Sequence, residues 1–141
     1  MTTPVVFLDT AYLVALTMET DAWHEAALGW ATRMERGRRV FVTTWAVVLE
    51  LGNALSKPRY RAAANAIVSE FFQDPTVTLV PLTEVLLRRS TSLFAARPDK
   101  SWSLTDCVSF LVMRDQGIRE ALTSDEHFQQ AGFRALLREP L

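Results

Sequence analysis

The chain has 141 residues, the usual size of one domain, so residues 1–141 are expected to fold as a single unit around one core. Hydrophobic residues at 49% and charged residues at 22% exclude a disordered chain, and a single cysteine, Cys107, excludes an internal disulfide and a thiolate zinc cluster. The net charge of −1 excludes a protein that grips nucleic acid by bulk positive charge.

Short β-rich apolar runs alternate with longer helical patterns, which predicts an α/β fold with a parallel sheet. The first strand is Val5–Leu8, ending at Asp9 and Thr10. A helix follows from about Trp23 to Gly37, with Trp23, Ala26, Ala27, Trp30 and Met34 on one stripe. The second strand is Val40–Thr43, and the helix after it runs from about Thr44 to Ser56, stopped by Lys57-Pro58. Residues 60–73 form another helix, with Ala63, Ala66, Ile67 and Phe71 expected inward. The third strand is Val77–Val80; a helix spans 83–96. Ser103 opens a helix that reaches Gly117 and is apolar on most sides, so it should lie inside the fold. The fourth strand is Glu120–Thr123. Asp125 starts a short helix ended by Gly132, and Phe133–Leu136 is the fifth strand. No apolar run approaches the ~20 residues of a membrane span. Asp9 interrupts the apolar stretch 4–18 and no basic residue precedes it, so no membrane partner and a cytoplasmic location are expected.

Charge is segregated. Residues 1–30 hold four acids and no Lys or Arg, whereas residues 33–61 hold seven basic residues against Glu35 and Glu50. The acids fall at particular places. Asp9 directly ends the first strand, Asp125 follows the fourth, and Asp106 lies in the first turn of the apolar helix. Ligands of open parallel sheets bind at these carboxyl ends. Each aspartate also has a structural explanation: Asp9 and Asp125 as helix N-caps, Asp106 as half of a capping box with Ser103. Glu50 sits mid-helix beside Val47, with no Lys or Arg within a turn of it in sequence.

Taken together the four are harder to explain as caps. Two unit charges about 4 Å apart repel by roughly 4 kcal/mol at an effective dielectric of 20, so four carboxylates on one rim need a cation. Oxygen donors without Cys or His point to Mg²⁺ or Mn²⁺. Such ions orient phosphate and make water nucleophilic. An acidic pocket beside a basic segment therefore suits a phosphodiesterase. Lys57, Arg59, Arg61, Arg38 and Arg39 are candidates to hold the substrate's phosphate backbone.

Asp9-Thr10 after a hydrophobic strand, Glu50 within Val48–Leu55, and Ser103-Leu104-Thr105-Asp106-Cys107 resemble the three acidic blocks of PIN-domain nucleases. Gly117-Ile118, Ala121–Phe128 and Ala131-Gly132-Phe133 are similar to the C-terminal block of the VapC-like toxin branch. The resemblance implies a five-stranded sheet in the order 3-2-1-4-5 and a Mg²⁺- or Mn²⁺-dependent endoribonuclease acting on single-stranded or structured RNA. It implies that Asp9, Glu50, Asp106 and Asp125 are the catalytic, metal-holding quartet, with Asp9 and Asp106 as direct ligands. Thr10, Thr105 and Thr123 would be supporting hydroxyls. Homodimers and an antitoxin partner are implied as well. Glu126 departs from the pattern, standing where many relatives carry a basic residue.

The competing reading is a catalytically inactive PIN-like RNA-binding or assembly module whose acids are only caps. His127 is read as a packing partner of Phe128 rather than a general base, and His24 as a surface or interface residue. Trp45 and Trp102 flank loops near the rim, where packing is weighed against stacking on a base. The stripe from Trp23 to Met34, with Ile67, Phe71 and Phe72, offers more aromatic surface than one sheet face covers, which points to a two-fold dimer.

Overall fold

The computed structural model describes residues 4–141. Five strands form one sheet: β1 (Val5–Leu8), β2 (Val40–Thr44), β3 (Val77–Val80), β4 (Glu120–Leu122) and β5 (Arg134–Ala135). Their order is β3-β2-β1-β4-β5 and every pairing is parallel, as the resemblance implied. Val6 and Phe7 of the central strand are fully buried, as a strand covered by helices on both faces must be. Register carries the chemistry to one end. Leu8 pairs with Leu122, so Asp9 and Thr123 follow at the same carboxyl rim, and the Asp9 N–H donates to the Leu122 carbonyl at 3.2 Å.

Helix α1 (Thr10–Thr17) has no counterpart in the sequence reading. Its residues are apolar all round, so no one-sided period marks it; it is surrounded by protein, packed on α2 (His24–Arg36), α3 (Trp45–Ala54) and α4 (Pro58–Gln73). The proline expected to stop the preceding helix also starts α4, at a position where its missing N–H costs nothing. The buried residues of α4 are Ala64 and Phe71; Ala63 and Ala66, expected inward, are exposed. Ala27, Trp30 and Met34 of α2 are buried in the chain's own core, so that stripe is not spare interface surface. Phe72 is 67% exposed.

Helix α5 (Glu84–Ala96) packs on α6 (Leu104–Gln116), whose Cys107, Val108, Phe110, Val112 and Met113 are buried as expected. Gly117 closes α6 at φ 67°, a left-handed conformation that favours glycine. Helix α7 (Glu126–Gln130) is short. The fifth strand stops at Ala135, because a 3-10 turn, Leu136–Arg138, buries Leu136 and Leu137 and turns the chain back over β4. An aromatic stack joins α6 to α7: Phe110 meets Trp102 and Phe128 edge-on, each at 5.0 Å between ring centroids. The Trp102 Nε1–H donates to Gln130 Oε1 at 3.0 Å. Trp102 is thereby packed away, whereas Trp45 is 51% exposed at the start of α3. No helix among the described residues is long and apolar enough to cross a membrane.

Candidate active site

Asp9 occupies the N-cap position of α1 without bonding its backbone, so the capping explanation fails there. Its buried carboxylate instead accepts a 2.7 Å hydrogen bond from the Thr123 hydroxyl. The Thr123 hydroxyl oxygen in turn accepts from the Asp125 N–H at 3.0 Å. Burial is the main force pushing the Asp9 carboxyl up to about 7; the Thr123 bond opposes it, while the charges of Asp106, Glu50 and Asp125 add to it. The quartet is thus close enough for three of its members to resist ionisation of the fourth.

For the other two aspartates the capping explanation holds, and it is not the whole of their role. Asp106 Oδ2 accepts from the Ser103 N–H at 3.0 Å while Ser103 Oγ accepts from the Asp106 N–H, a complete capping box. Burial again pushes the Asp106 carboxyl above the ordinary range, against the hydrogen bonds it receives. Asp125 Oδ1 caps α7 by accepting from the His127 N–H at 2.8 Å. Glu50, half-buried on α3, lines a cleft of about 240 Å³ with Thr105 of α6 and the apolar side chains of Ala46, Leu82 and Val108. The Thr10 hydroxyl, next in the chain to Asp9, is buried and has no hydrogen-bond partner.

His127 is the residue that sequence reasoning undervalued. Phe128 does pack, against Phe7 and Phe110. The His127 ring turns the other way: its Nδ1 lies 3.0 Å from Asp106 Oδ2 and 3.3 Å from Asp125 Oδ1. The available signal was its place two residues after a capping aspartate, in the first turn of a helix that starts on the rim. His24 has its Nδ1 at 2.7 Å from the Ala15 carbonyl oxygen, which ties α2 to α1.

The basic candidates divide. Lys57, Arg59 and Arg61 are exposed at the start of α4, and Arg61 lines a cleft of about 620 Å³ between α3 and α4. Leu49 and Asn53 line this cleft and that of Glu50, so the two are neighbours. Arg38 and Arg39 precede β2, at the opposite end of the sheet from Asp9. Arg39 is paired there with Glu120 at 3.4 Å. Arg38 and Arg39, expected along the RNA backbone, are thus set apart from the acid rim by the topology.

Asp106, Asp125 and His127 each bring one donor atom within 4.8 Å of the others, the one such group of three among the described residues. Carboxylate oxygens and an imidazole form a donor set that suits a small divalent cation. A neutral Asp9 needs nothing; an ionised one among three other acids needs such a charge.

A five-stranded sheet in this order, with acids gathered at its carboxyl rim, is matched by the PIN domain family model over residues 6–134, and the chain belongs to that family. It is 29% identical over 133 residues to the 23S rRNA-specific endonuclease VapC20 of Mycobacterium tuberculosis, covering 92% of this chain and 95% of that protein. The crystal structure of M. tuberculosis VapC20, a Sarcin-Ricin loop cleaving toxin, matches with a TM-score of 0.79 at 27% identity, over 92% of this chain and 96% of that one. VapBC2 from Rickettsia felis, bound to a DNA fragment from its promoter, matches with a TM-score of 0.63 at 10% identity, over 90% and 92% of the two chains. That last likeness extends to the fold alone.

Proposed function

We propose that this chain is a Mg²⁺- or Mn²⁺-dependent endoribonuclease that hydrolyses phosphodiester bonds of RNA, and that it is the toxin of a toxin–antitoxin pair acting in the cytoplasm. The observation that carries the reading is the convergence on one rim of Asp9, Glu50, Asp106 and Asp125, with Asp9 raised to about 7 by burial and by the other three. The likeness to a ribosomal-RNA endonuclease over nearly the whole chain supports structured RNA as the substrate class.

In this reading Asp9 and Asp106 hold the cation directly, and Glu50 and Asp125 hold its waters or a second ion. When bound, the ion polarises a phosphate oxygen and acidifies a water at neutral pH. Thr123 orients the Asp9 carboxylate, and the Ser103 N–H orients that of Asp106. Lys57, Arg59 and Arg61 hold the RNA backbone along the α3–α4 cleft. The uncompensated acids also keep a bare phosphate out, which makes binding of the scissile group conditional on the cation.

A cytoplasmic RNA-cleaving toxin must be restrained in the cell that makes it. A basic side chain from an antitoxin, an Arg above all, fits the acid rim in place of the cation. The exposed apolar residues Trp45 and Leu49 of α3 and Val85 and Leu87 of α5 support a homodimer, which light scattering over a hundredfold dilution would reveal by its mass. The central test is digestion of RNA by the purified protein. Cleavage with Mn²⁺ or Mg²⁺, abolished by EDTA and by Asp9→Asn, is expected. Intact RNA under every metal condition would overturn the enzymatic reading in favour of a binding module.

A further inference from the structure

We propose that His127 is itself a ligand, making this centre a mixed nitrogen and oxygen site that selects a first-row transition ion over Mg²⁺. The inference rests on the metal-dependent reading above and adds a donor to it.

Three observations converge. The first is distance. Donors at roughly 2.1 Å from a six-coordinate ion stand about 3.0 Å from their cis neighbours. His127 Nδ1 lies 3.0 Å from Asp106 Oδ2 and 3.3 Å from Asp125 Oδ1, near the cis spacing in each case, and one donor atom from each of the three residues falls within 4.8 Å of the others. The Nδ1–Asp106 contact is a hydrogen bond in this structure, and a cation would take the place of its hydrogen and meet the Nδ1 lone pair.

The second is rigidity. The His127 backbone N–H is held by Asp125 Oδ1 at 2.8 Å, and its carbonyl accepts from the Ala131 N–H at 3.1 Å. The next residue, Phe128, is fully buried between Phe7 and Phe110. The backbone that carries the imidazole is therefore fixed at the rim, and the ring is held toward the acids by its contacts to Asp106 and Asp125. The third is access. The His127 side chain is 23% exposed and Asp125 30%, so an ion can reach them from solvent.

Imidazole nitrogen is a good ligand for first-row transition ions, whereas Mg²⁺ takes oxygen and gives up its waters reluctantly. A quartet of carboxylates alone would discriminate weakly between Mg²⁺ and Mn²⁺. The nitrogen supplies the discrimination.

The test is the electron spin-echo envelope modulation of the protein loaded with Mn²⁺, paired with Mg²⁺ competition for the bound Mn²⁺. Only two histidines exist in the chain, so any imidazole coupling can be assigned. The expected result is nitrogen modulation in the wild type, lost in His127→Ala and kept in His24→Gln. Mn²⁺ affinity should fall roughly tenfold in His127→Ala, with Mg²⁺ affinity little changed. Mn²⁺ that binds, and is lost in Asp106→Asn, but shows no nitrogen coupling overturns this inference and leaves the metal-dependent nuclease standing. Coupling that survives in His127→Ala also overturns it. A protein that binds no Mn²⁺ overturns both readings. The wild-type spectrum decides the matter even where the alanine variant folds poorly.

Discussion

Thr123 and Asp9, 114 residues apart in sequence, share the shortest buried contact of the rim: the threonine hydroxyl donates to Asp9 Oδ2 at 2.7 Å. The Thr123 hydroxyl oxygen itself accepts from the Asp125 N–H, so one hydroxyl sets two of the four acids relative to each other. Thr123→Val keeps the shape and removes the bond. The ionised Asp9 is then left with an unmet acceptor, at a cost of about 1–3 kcal/mol. The loss should be larger at pH 8 than at pH 5, where Asp9 is protonated, and the Asp9 titration should move above about 7. Equal destabilisation at both pH values in urea denaturation would assign Thr123 a packing role only.

The cation-free protein should lose stability as pH rises from about 4 to about 7. Asp9 has an ordinary value of 3.8 when unfolded and about 7 when folded, so across this interval the native state binds the extra proton. A gap of about three pH units, at about 1.4 kcal/mol per unit, amounts to roughly 4 kcal/mol. Asp106 is raised and acts in the same direction. The ion-paired carboxylates Asp99, Asp115 and Glu139 are lowered, so their contribution is lost on acidification below about 4.5 and leaves the upper part of this window, above about pH 5, clear. At pH 7.5, Mn²⁺ at a hundredfold excess over Kd should return about 2.7 kcal/mol. Calorimetry checks both; a Tm indifferent to Mn²⁺ at that pH would refute the role given to Asp9.

Asp106→Asn separates ligand from cap. The amide oxygen still accepts from the Ser103 N–H, so folding stability should stay within about 1 kcal/mol. One ligand charge is removed, and cleavage should fall by about a hundredfold or more. Wild-type rates in a purified, folded variant would reduce Asp106 to a helix cap.

Neutralising Lys57, Arg59 and Arg61 together as glutamines should weaken every RNA alike. For single strands each phosphate contact contributes about −0.7 to the slope of log K against log salt, so the triple variant should flatten the slope by about 2. Arg38→Gln, at the other end of the sheet, should leave it unchanged. A slope altered by Arg38→Gln and not by the triple variant would move the RNA to the opposite face.

Strands β1 to β4 and the buried helix α6 were legible because their apolar runs have the lengths and periods those elements require. Helix α1 was not, since burial on most sides erases the periodicity that betrays a helix. The positions of Asp9, Asp106 and Asp125 at strand and helix ends could be read from neighbouring residues alone. The direction of the His127 ring could not, because it depends on α6 and α7 being clamped by Trp102, Phe110 and Phe128. The fate of Arg39 depended on register: Val5 pairs with Val40 while Val6 pairs with Glu120, which brings Arg39 to Glu120.

The split in capping duty among the aspartates bears on how such a chain would age once cleavage no longer mattered. Asp106 and Asp125 hold helix starts, so selection for folding alone would retain a capping side chain, Asp or Asn, at each in a descendant that had stopped cutting RNA. Asp9 caps nothing, and its burial opposes its charge, so Asn there relieves the fold at neutral pH. Drift would therefore erase Asp9 first. Among descendants, an intact acid at position 9 is the informative witness to a working nuclease, and a capping side chain at 106 or 125 testifies only to a well-started helix.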